Sequence, residues 1–289
     1  MTPGFAFVAE PLDRADEWRG DADKLDALRA TSRCLRLDAR GDVAVDGEGR
    51  LSAEIGAPAD AVFLGRRGDD AWFAASRDLP FREDDARIDL RSAALQWPAF
   101  ESTLFAQARA VLHWRSTHHF CPNCGHALGY SRGGWQGDCA QCGRVEYPRT
   151  DPAVIVAVSD GERLLLGRQA SWPARRYSTL AGFVEPGESL EAAIVREVWE
   201  ESRVRVRRSR YLASQPWPFP GSLMLGFIAD AEADAPQTAQ DELEDARWFS
   251  RAEVEAALRE DREDASLRVS PPLSISRWLI ERWVAGERA

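Results

Sequence analysis

The chain has 289 residues, 44% of them hydrophobic and 29% charged, with a formal net charge of −10. That size holds two compact domains and a small third module, and the balance is that of a globular protein, which sets aside disordered and fibrous classes. The acidic balance argues against wholesale binding to nucleic acid or an anionic membrane. No apolar run approaches the roughly 18 residues of a membrane span, and the N-terminal MTPGFAFVAEPLDRADEW lacks the features of a signal peptide, so a soluble cytoplasmic protein with no membrane partner is expected.

Residues 1 to 115 read as one unit. Helical spacing of Trp18, Leu25 and Leu28 predicts a helix over 16–30, followed by short strands at Cys34–Leu37 and Asp42–Val45. AVFLGRRGDDAWFAAS reads as a hairpin whose apolar arms flank a Gly-Arg-Arg-Gly-Asp-Asp turn. Phe105, Ala108 and Leu112 share a stripe of a helix over 100–114. Nothing here carries recognisable chemistry, and a supporting or dimerising role is expected. Cys34 stands alone in an apolar context and reads as core.

Residues 118 to 150 hold the other four cysteines. Cys121 and Cys124 form one Cys-x-x-Cys pair, and Cys139 and Cys142 form a second after a further fourteen residues. Two residues between cysteines let both thiolates reach one tetrahedral ion, so the spacing is that of a zinc ribbon. Gly125 and Gly143 follow each pair, where a tight knuckle favours positive φ. Four sulfur ligands leave no open position, which makes this zinc structural. His118, His119 and His126 read as solvated neighbours. One Arg with Tyr130 and Trp135 between the knuckles is thin for a phosphate-tracking surface, and a brace between domains fits better.

From Asp151 the texture changes. DPAVIVAV reads as a strand buried on both faces, RLLLGR as a second, LMLGFIA as a third and Ala246–Phe249 as a fourth. Ser250 and Glu253 make a capping box, and 274–284 reads as a closing amphipathic helix. This mixture predicts a layered α/β or α+β domain over 151–289.

Within it, ESLEAAIVREVWEESR places Leu190, Ala193, Ile194 and Val198 on one helical stripe and Glu197, Glu200 and Glu201 on another. Carboxylates ~5 Å apart at an effective dielectric of ~20 repel by roughly 3 kcal/mol per pair. In a cleft such a cluster needs cations, and an all-oxygen donor set selects Mg²⁺ or Mn²⁺. A bare E-x-x-E-E is more often a solvated acidic face. Further along, SQPWPFPGSLM (214–224) spaces three prolines alternately with Trp217 and Phe219. Proline fixes φ and removes a backbone donor, so this run reads as a stiff extended rim holding two aromatic rings. RVRVRRSR (203–210) places arginines on one strand face, a solvated face by default and the best local patch for an RNA chain.

Gly182, Glu188, Arg196, Glu197, Val198, Glu200 and Glu201 match the pattern G-x5-E-x7-R-E-U-x-E-E. This resembles the Nudix box of hydrolases that cleave nucleoside diphosphates linked to another moiety. With the ribbon, YPRTDPAVI and SQPWPFPGSLM in that order, the chain is similar to the NADH pyrophosphatase branch. The resemblance implies the α+β class: a Nudix α/β/α sandwich with a mixed sheet, preceded by a zinc ribbon and an N-terminal Nudix-like α/β domain. It implies divalent-metal ligands at the Ala181 carbonyl, Glu197, Glu200, Glu201 and Glu242, with Glu197, Glu200 and Glu201 as the catalytic carboxylates. It implies substrate contacts at Tyr147, Phe183, Gln215, Pro216, Trp217, Pro218, Phe219, Pro220, Gly221, Ser222 and Ser276. Hydrolysis of NADH or NAD⁺ to NMN(H) and AMP, removal of NAD caps from RNA, a homodimer and one structural zinc per subunit complete the implied picture. One position departs: the family has Gly where Arg203 stands, and an altered helix exit is expected at a cost on the order of 1 kcal/mol. Two other readings compete: a pyrophosphatase for ADP-ribose or another nucleoside diphosphate, and a zinc-ribbon nucleic-acid-binding protein on an inactive Nudix scaffold.

Overall fold

The computed structural model describes residues 4–8, 12–76, 86–238, 242–259 and 264–289. These fall into two compact units, one of Met1–Ala6, Asp151–Pro216 and Ser222–Ala289, the other of Phe7–Thr150 and Trp217–Gly221. No helix among the described residues is long and apolar enough to cross a membrane.

The second of these units begins with α1 (Asp16–Arg19) and α2 (Ala22–Arg29). The helix expected over 16–30 is thus two helices: Gly20 ends the first, and Asp21 opens the second by accepting the Lys24 N–H at 3.0 Å. There follow β1 (Arg33–Leu37), β2 (Val43–Ala44), β3 (Glu54–Ile55), β4 (Val62–Arg67), β5 (Asp70–Ser76), β6 (Arg87–Ile88), α3 (Leu90–Gln96) and α4 (Ala99–Thr117). The sheet runs β4-β5-β1-β2-β6 with β3 also on β1, and β1 and β5 are parallel. The β4–β5 hairpin is tighter than the sequence suggested. Its strands run to Arg67 and from Asp70, leaving Gly68–Asp69 as the turn, with Gly68 at φ 60°. Cys34 is fully buried, and that burial pushes its thiol up to about 11, so it is inert core. The ribbon adds β7 (Gly129–Ser131), β8 (Gln136–Asp138) and β9 (Val145–Glu146), an antiparallel trio. Trp135 fastens this segment by donating its indole N–H to the Phe63 carbonyl at 2.6 Å.

The other unit contains β10 (Asp151–Ser159), β11 (Arg163–Arg168), β12 (Arg176–Tyr177), β13 (Leu180–Phe183), α5 (Leu190–Ser202), β14 (Val206–Trp217), β15 (Ser222–Ala231), β16 (Asp245–Ser250), α6 (Arg251–Arg259), β17 (Arg268–Val269) and α7 (Ile275–Val284). Its mixed sheet runs β14-β15-β10-β11-β16, with β13 antiparallel to β10 and β15 parallel to it. β10, central and continuously apolar, is buried from Ala153 to Ser159, as a two-faced strand must be. β14 is an edge strand, a place in a sheet that tolerates Pro216. Val154, Val156, Val158, Leu180 and Phe227 share one core with Ala193, Ile194 and Val198 of α5. α6 opens with the expected capping box, in which the Ser250 N–H donates to Glu253 Oε2 at 2.8 Å.

Candidate active site

The apolar stripe of α5 fixes its rotation. Ser189 starts the helix, its Oγ accepting the Ala192 N–H at 3.2 Å. With Ala193, Ile194 and Val198 buried on the sheet, Glu197 and Glu201, one turn apart, are drawn inward and are each only 8% exposed. Glu200 does not join them. Its side chain is half exposed and pairs with Arg196 at 3.0 Å.

Arg196 ties the box together. Its guanidinium donates to Glu188 through Nε (2.9 Å) and Nη2 (2.8 Å), reaches Glu197 at 2.9 Å, and donates to the Phe183 carbonyl at 2.9 Å. Glu188 in turn accepts the Glu185 N–H at 3.1 Å, so the loop before the helix closes on the helix. The sequence pattern marked Arg196 and Gly182 without assigning them a part. Gly182 sits where a Cβ would lie 1.9 Å from the Glu197 carboxyl carbon, so only glycine lets that carboxylate lie against β13.

The electrostatics of this corner are those of an incomplete charge set. Burial, then the charges of Glu197 and Glu242, push Glu201 up to about 8, against a smaller opposing pull from the Ala181 backbone. Glu197 is raised as well, by burial first and partly offset by Arg196. Glu242 itself is exposed. Its field on the other two places it in their neighbourhood, while the adjoining Leu243 is buried. Glu201 Oε2 is buried and has no hydrogen-bond donor. A lone pair left unpartnered among like charges is costly, and a divalent cation is the partner that satisfies both defects at once. The carboxylate set fits such an ion, although its oxygens do not converge as tightly as the thiolates described below.

The helix exit corrects the expectation for Arg203. The exit is unaltered: Arg203 adopts the left-handed conformation (φ 59°, ψ 19°) that a glycine would, and its N–H donates to the Trp199 carbonyl at 2.9 Å. Its guanidinium lies 5.7 Å from the Trp199 ring, a contact that offsets part of the strain.

Other expected substrate residues scatter in environment. Phe183 is 59% exposed and Tyr147 52%. Ser222 is buried at the start of β15. Gln215 is fully buried and its amide is engaged: Nε2 donates to the Ala6 and Leu273 carbonyls, and Oε1 accepts the Ile275 N–H at 2.8 Å. This side chain braces the start of α7. Ser276 is buried in a hydroxyl cluster, its Oγ meeting Ser178 Oγ at 2.8 Å, Thr179 Oγ1 at 3.0 Å and Ser270 Oγ at 3.3 Å. No local pattern marks that cluster, since it joins 178–179 to Ser270 and Ser276, more than ninety residues on. Trp217 and Phe219 are half-buried and meet edge to face at 5.0 Å, with Pro218 buried between them and Pro216, Pro220 exposed. Three of the arginines in the 203–210 run are already paired. Arg205 pairs with Asp234, Arg208 with Asp230 and Arg210 with Glu287.

The four cysteines converge, with Cys121, Cys124, Cys139 and Cys142 sulfurs all within 4.8 Å of one another. Both knuckles form as the sequence requires. The Gly125 and Gly143 N–H groups donate to the Cys121 and Cys139 carbonyls at 2.9 Å, at φ 74° and 71°. The Arg144 backbone N–H, above all, pulls the Cys142 thiol down to about 6. The four thiols are a tetrahedral donor set suited to zinc.

Three family models match the chain: a NUDIX domain over residues 149–269, an NADH pyrophosphatase-like rudimentary NUDIX domain over 31–114, and an NADH pyrophosphatase zinc ribbon domain over 116–147. The NAD-capped RNA hydrolase NudC of Mycobacterium bovis is 40% identical over 95% of this chain and 93% of its own. This chain is a Nudix hydrolase. It belongs to the NADH pyrophosphatase group of that family, and its α+β fold with a ribbon ahead of the Nudix domain is the group's arrangement. NudC of Mycobacterium tuberculosis is likewise 40% identical over 95% of the chain. Human NUDT12, an NAD-capped RNA hydrolase, is 43% identical over 74% of this chain and half of its own length. In this Nudix hydrolase the N-terminal segment, chemically silent in the sequence, is thus a rudimentary second copy of the catalytic fold.

Proposed function

We propose that this Nudix hydrolase cleaves the diphosphate of NADH and NAD⁺ to give NMN(H) and AMP, and the same bond in NAD-capped RNA. The observation that carries the reading is Glu201: a buried carboxylate oxygen without a donor, raised by burial and by its neighbours Glu197 and Glu242. The names borne by NudC and NUDT12 support the substrate class.

Glu197, Glu201, Glu242 and the Ala181 carbonyl would hold Mg²⁺ or Mn²⁺, with Glu200 adding charge at the rim. Bound there, a divalent ion neutralises diphosphate oxygens and lowers the pKa of an attacking water. The chain's own part is orientation. Arg196 fixes Glu197 and Glu188, Gly182 gives Glu197 room, and Glu201 presents its unpartnered Oε2 to the ion. Tyr147, Phe183, Ser222 and the run Gln215–Gly221 are proposed to face the substrate, with Ser276 supporting from its hydroxyl cluster and the Gln215 side chain acting as a brace. The four cysteines would hold one structural zinc per subunit. Boundaries at 1–115, 118–150 and 151–289, a homodimer and a cytoplasmic location belong to the same proposal.

The test is product analysis on NADH, NAD-capped RNA and ADP-ribose side by side, each with Mg²⁺ and with Mn²⁺. Release of NMN(H) with AMP or with 5′-monophosphate RNA supports the reading. Turnover of ADP-ribose alone, or salt-sensitive RNA binding with no hydrolysis of any of the three, overturns it.

A further inference from the structure

The segment Trp217–Gly221 interrupts the Nudix domain in sequence, yet it packs within the unit built from Phe7–Thr150. Two arginines of the rudimentary Nudix domain hold it. Arg91, at the start of α3, places its guanidinium carbon 4.1 Å from the Phe219 ring centroid and 5.3 Å from that of Trp217. Asp89 fixes the base of that side chain by accepting the Arg91 N–H at 2.8 Å. Arg109, on α4, donates through Nε to the Pro218 carbonyl at 3.3 Å and lies 5.6 Å from the Phe219 ring. Its Nη1 donates to the Arg40 and Gly41 carbonyls at 3.1 and 3.2 Å. The 38–41 turn is shaped for this: a Cβ on Gly41 would lie 2.3 Å from Arg109 Nη1.

These contacts do more than bury a loop. A guanidinium over one face of Phe219 sets the tilt of that ring by cation–π attraction, and the carbonyl bond of Arg109 sets the height of Pro218. Trp217 and Phe219, only half-buried, keep surface for a ligand. A rigid pair of rings binds a planar partner at lower entropic cost than a mobile pair.

We propose that Arg91 and Arg109 are positioning residues for the reaction, holding the Trp217–Phe219 pair in the orientation that receives a flat ring of the dinucleotide. This rests on the reading that Trp217 and Phe219 touch that ring.

Steady-state NADH hydrolysis with Mn²⁺ tests it in the full chain, using Arg91→Ala, Arg109→Ala, Arg91→Lys, Phe219→Ala, Trp217→Ala and the double variant Arg91→Ala/Phe219→Ala. Loss of ring positioning is loss of uniform binding, so Arg91→Ala and Arg109→Ala raise KM about tenfold, about 1.4 kcal/mol, while kcat changes less than about twofold. Arg91→Lys, which keeps the cation but not the plane, falls between, and the double variant is no worse than Phe219→Ala alone. Arg91 is exposed, so Arg91→Ala should retain the wild-type unfolding midpoint. If Trp217→Ala raises KM but neither arginine variant does, the positioning proposal is wrong and the ring contact stands. If Trp217→Ala leaves KM unchanged, the ring contact itself is wrong, and the proposal goes with it. A fall in kcat and in unfolding midpoint with KM constant would reduce both arginines to structural parts and overturn the proposal.

Discussion

Replacing Glu201 by Gln separates stability from function in a way that only an incomplete metal site would. Glu201 is 8% exposed and its pKa stands at about 8 against an ordinary 4.5. A raised acid binds its proton more tightly folded than unfolded. Stability is therefore full below about 4.5, is lost as pH rises, and the loss is complete above about 8. At ~1.4 kcal/mol per unit the charged carboxylate costs the metal-free protein up to about 5 kcal/mol. Gln carries no charge but leaves a polar atom unsatisfied at Oε2, a penalty of about 1–3 kcal/mol. The variant should then be more stable than the wild type by about 2–4 kcal/mol at pH 8.5, with the gap growing by about 1.4 kcal/mol per pH unit from 5 to 8. Urea unfolding in buffer freed of divalent ions by exchange measures this; a chelator would also compete for the ribbon thiolates. Adding Mn²⁺ to 1,000 times its Kd should reverse the order by stabilising the wild type by about 4.1 kcal/mol, and leave the hydrolytically dead variant where it was. A variant less stable than wild type at pH 8.5 without metal, or a gap that does not change with pH, would refute the reasoning.

Gly182→Ala should lower kcat by about a hundredfold, because the new Cβ would sit 1.9 Å from the Glu197 carboxyl carbon and must push it aside; near-normal turnover would show that Glu197 can relocate freely. Arg203→Gly removes left-handed strain of about 1 kcal/mol and an exposed Arg–Trp contact of about 0.5 kcal/mol, so it should stabilise the protein by about 0.5 kcal/mol in urea unfolding without changing turnover. Cys139→Ser should lower zinc from one per chain to a small fraction by elemental analysis and reduce the urea midpoint, since three thiolates hold zinc far less well than four; full zinc content in the variant would contradict the four-sulfur assignment.

Much of this molecule is legible in its sequence because the relevant signals are local. The α5 stripe of Ala193, Ile194 and Val198 forces the carboxylates inward, and the two Cys-x-x-Cys knuckles need only their own glycines. What sequence could not convey depends on distant partners. Gln215 is spent on Ala6 and Leu273, 209 and 58 residues away. Arg109 meets Pro218 across 109 residues, and Ser276 meets Ser178 across 98. No periodicity encodes such pairings. The Glu200 side chain was indistinguishable from its neighbours by spacing alone, and only packing turns it outward to Arg196. The split helix near Gly20 and the two-residue turn at Gly68–Asp69 are boundary shifts of the kind that local hydrogen bonding decides.

The central claim is that Glu197, Glu201 and Glu242 gather divalent ions that the diphosphate chemistry requires. Titration of Mn²⁺ by electron paramagnetic resonance, on the native protein and on Glu201→Gln with equal zinc content, tests it most directly. The account predicts saturable Mn²⁺ binding in the native protein that is lost in the variant together with NADH hydrolysis. Equal Mn²⁺ uptake by both proteins would contradict it.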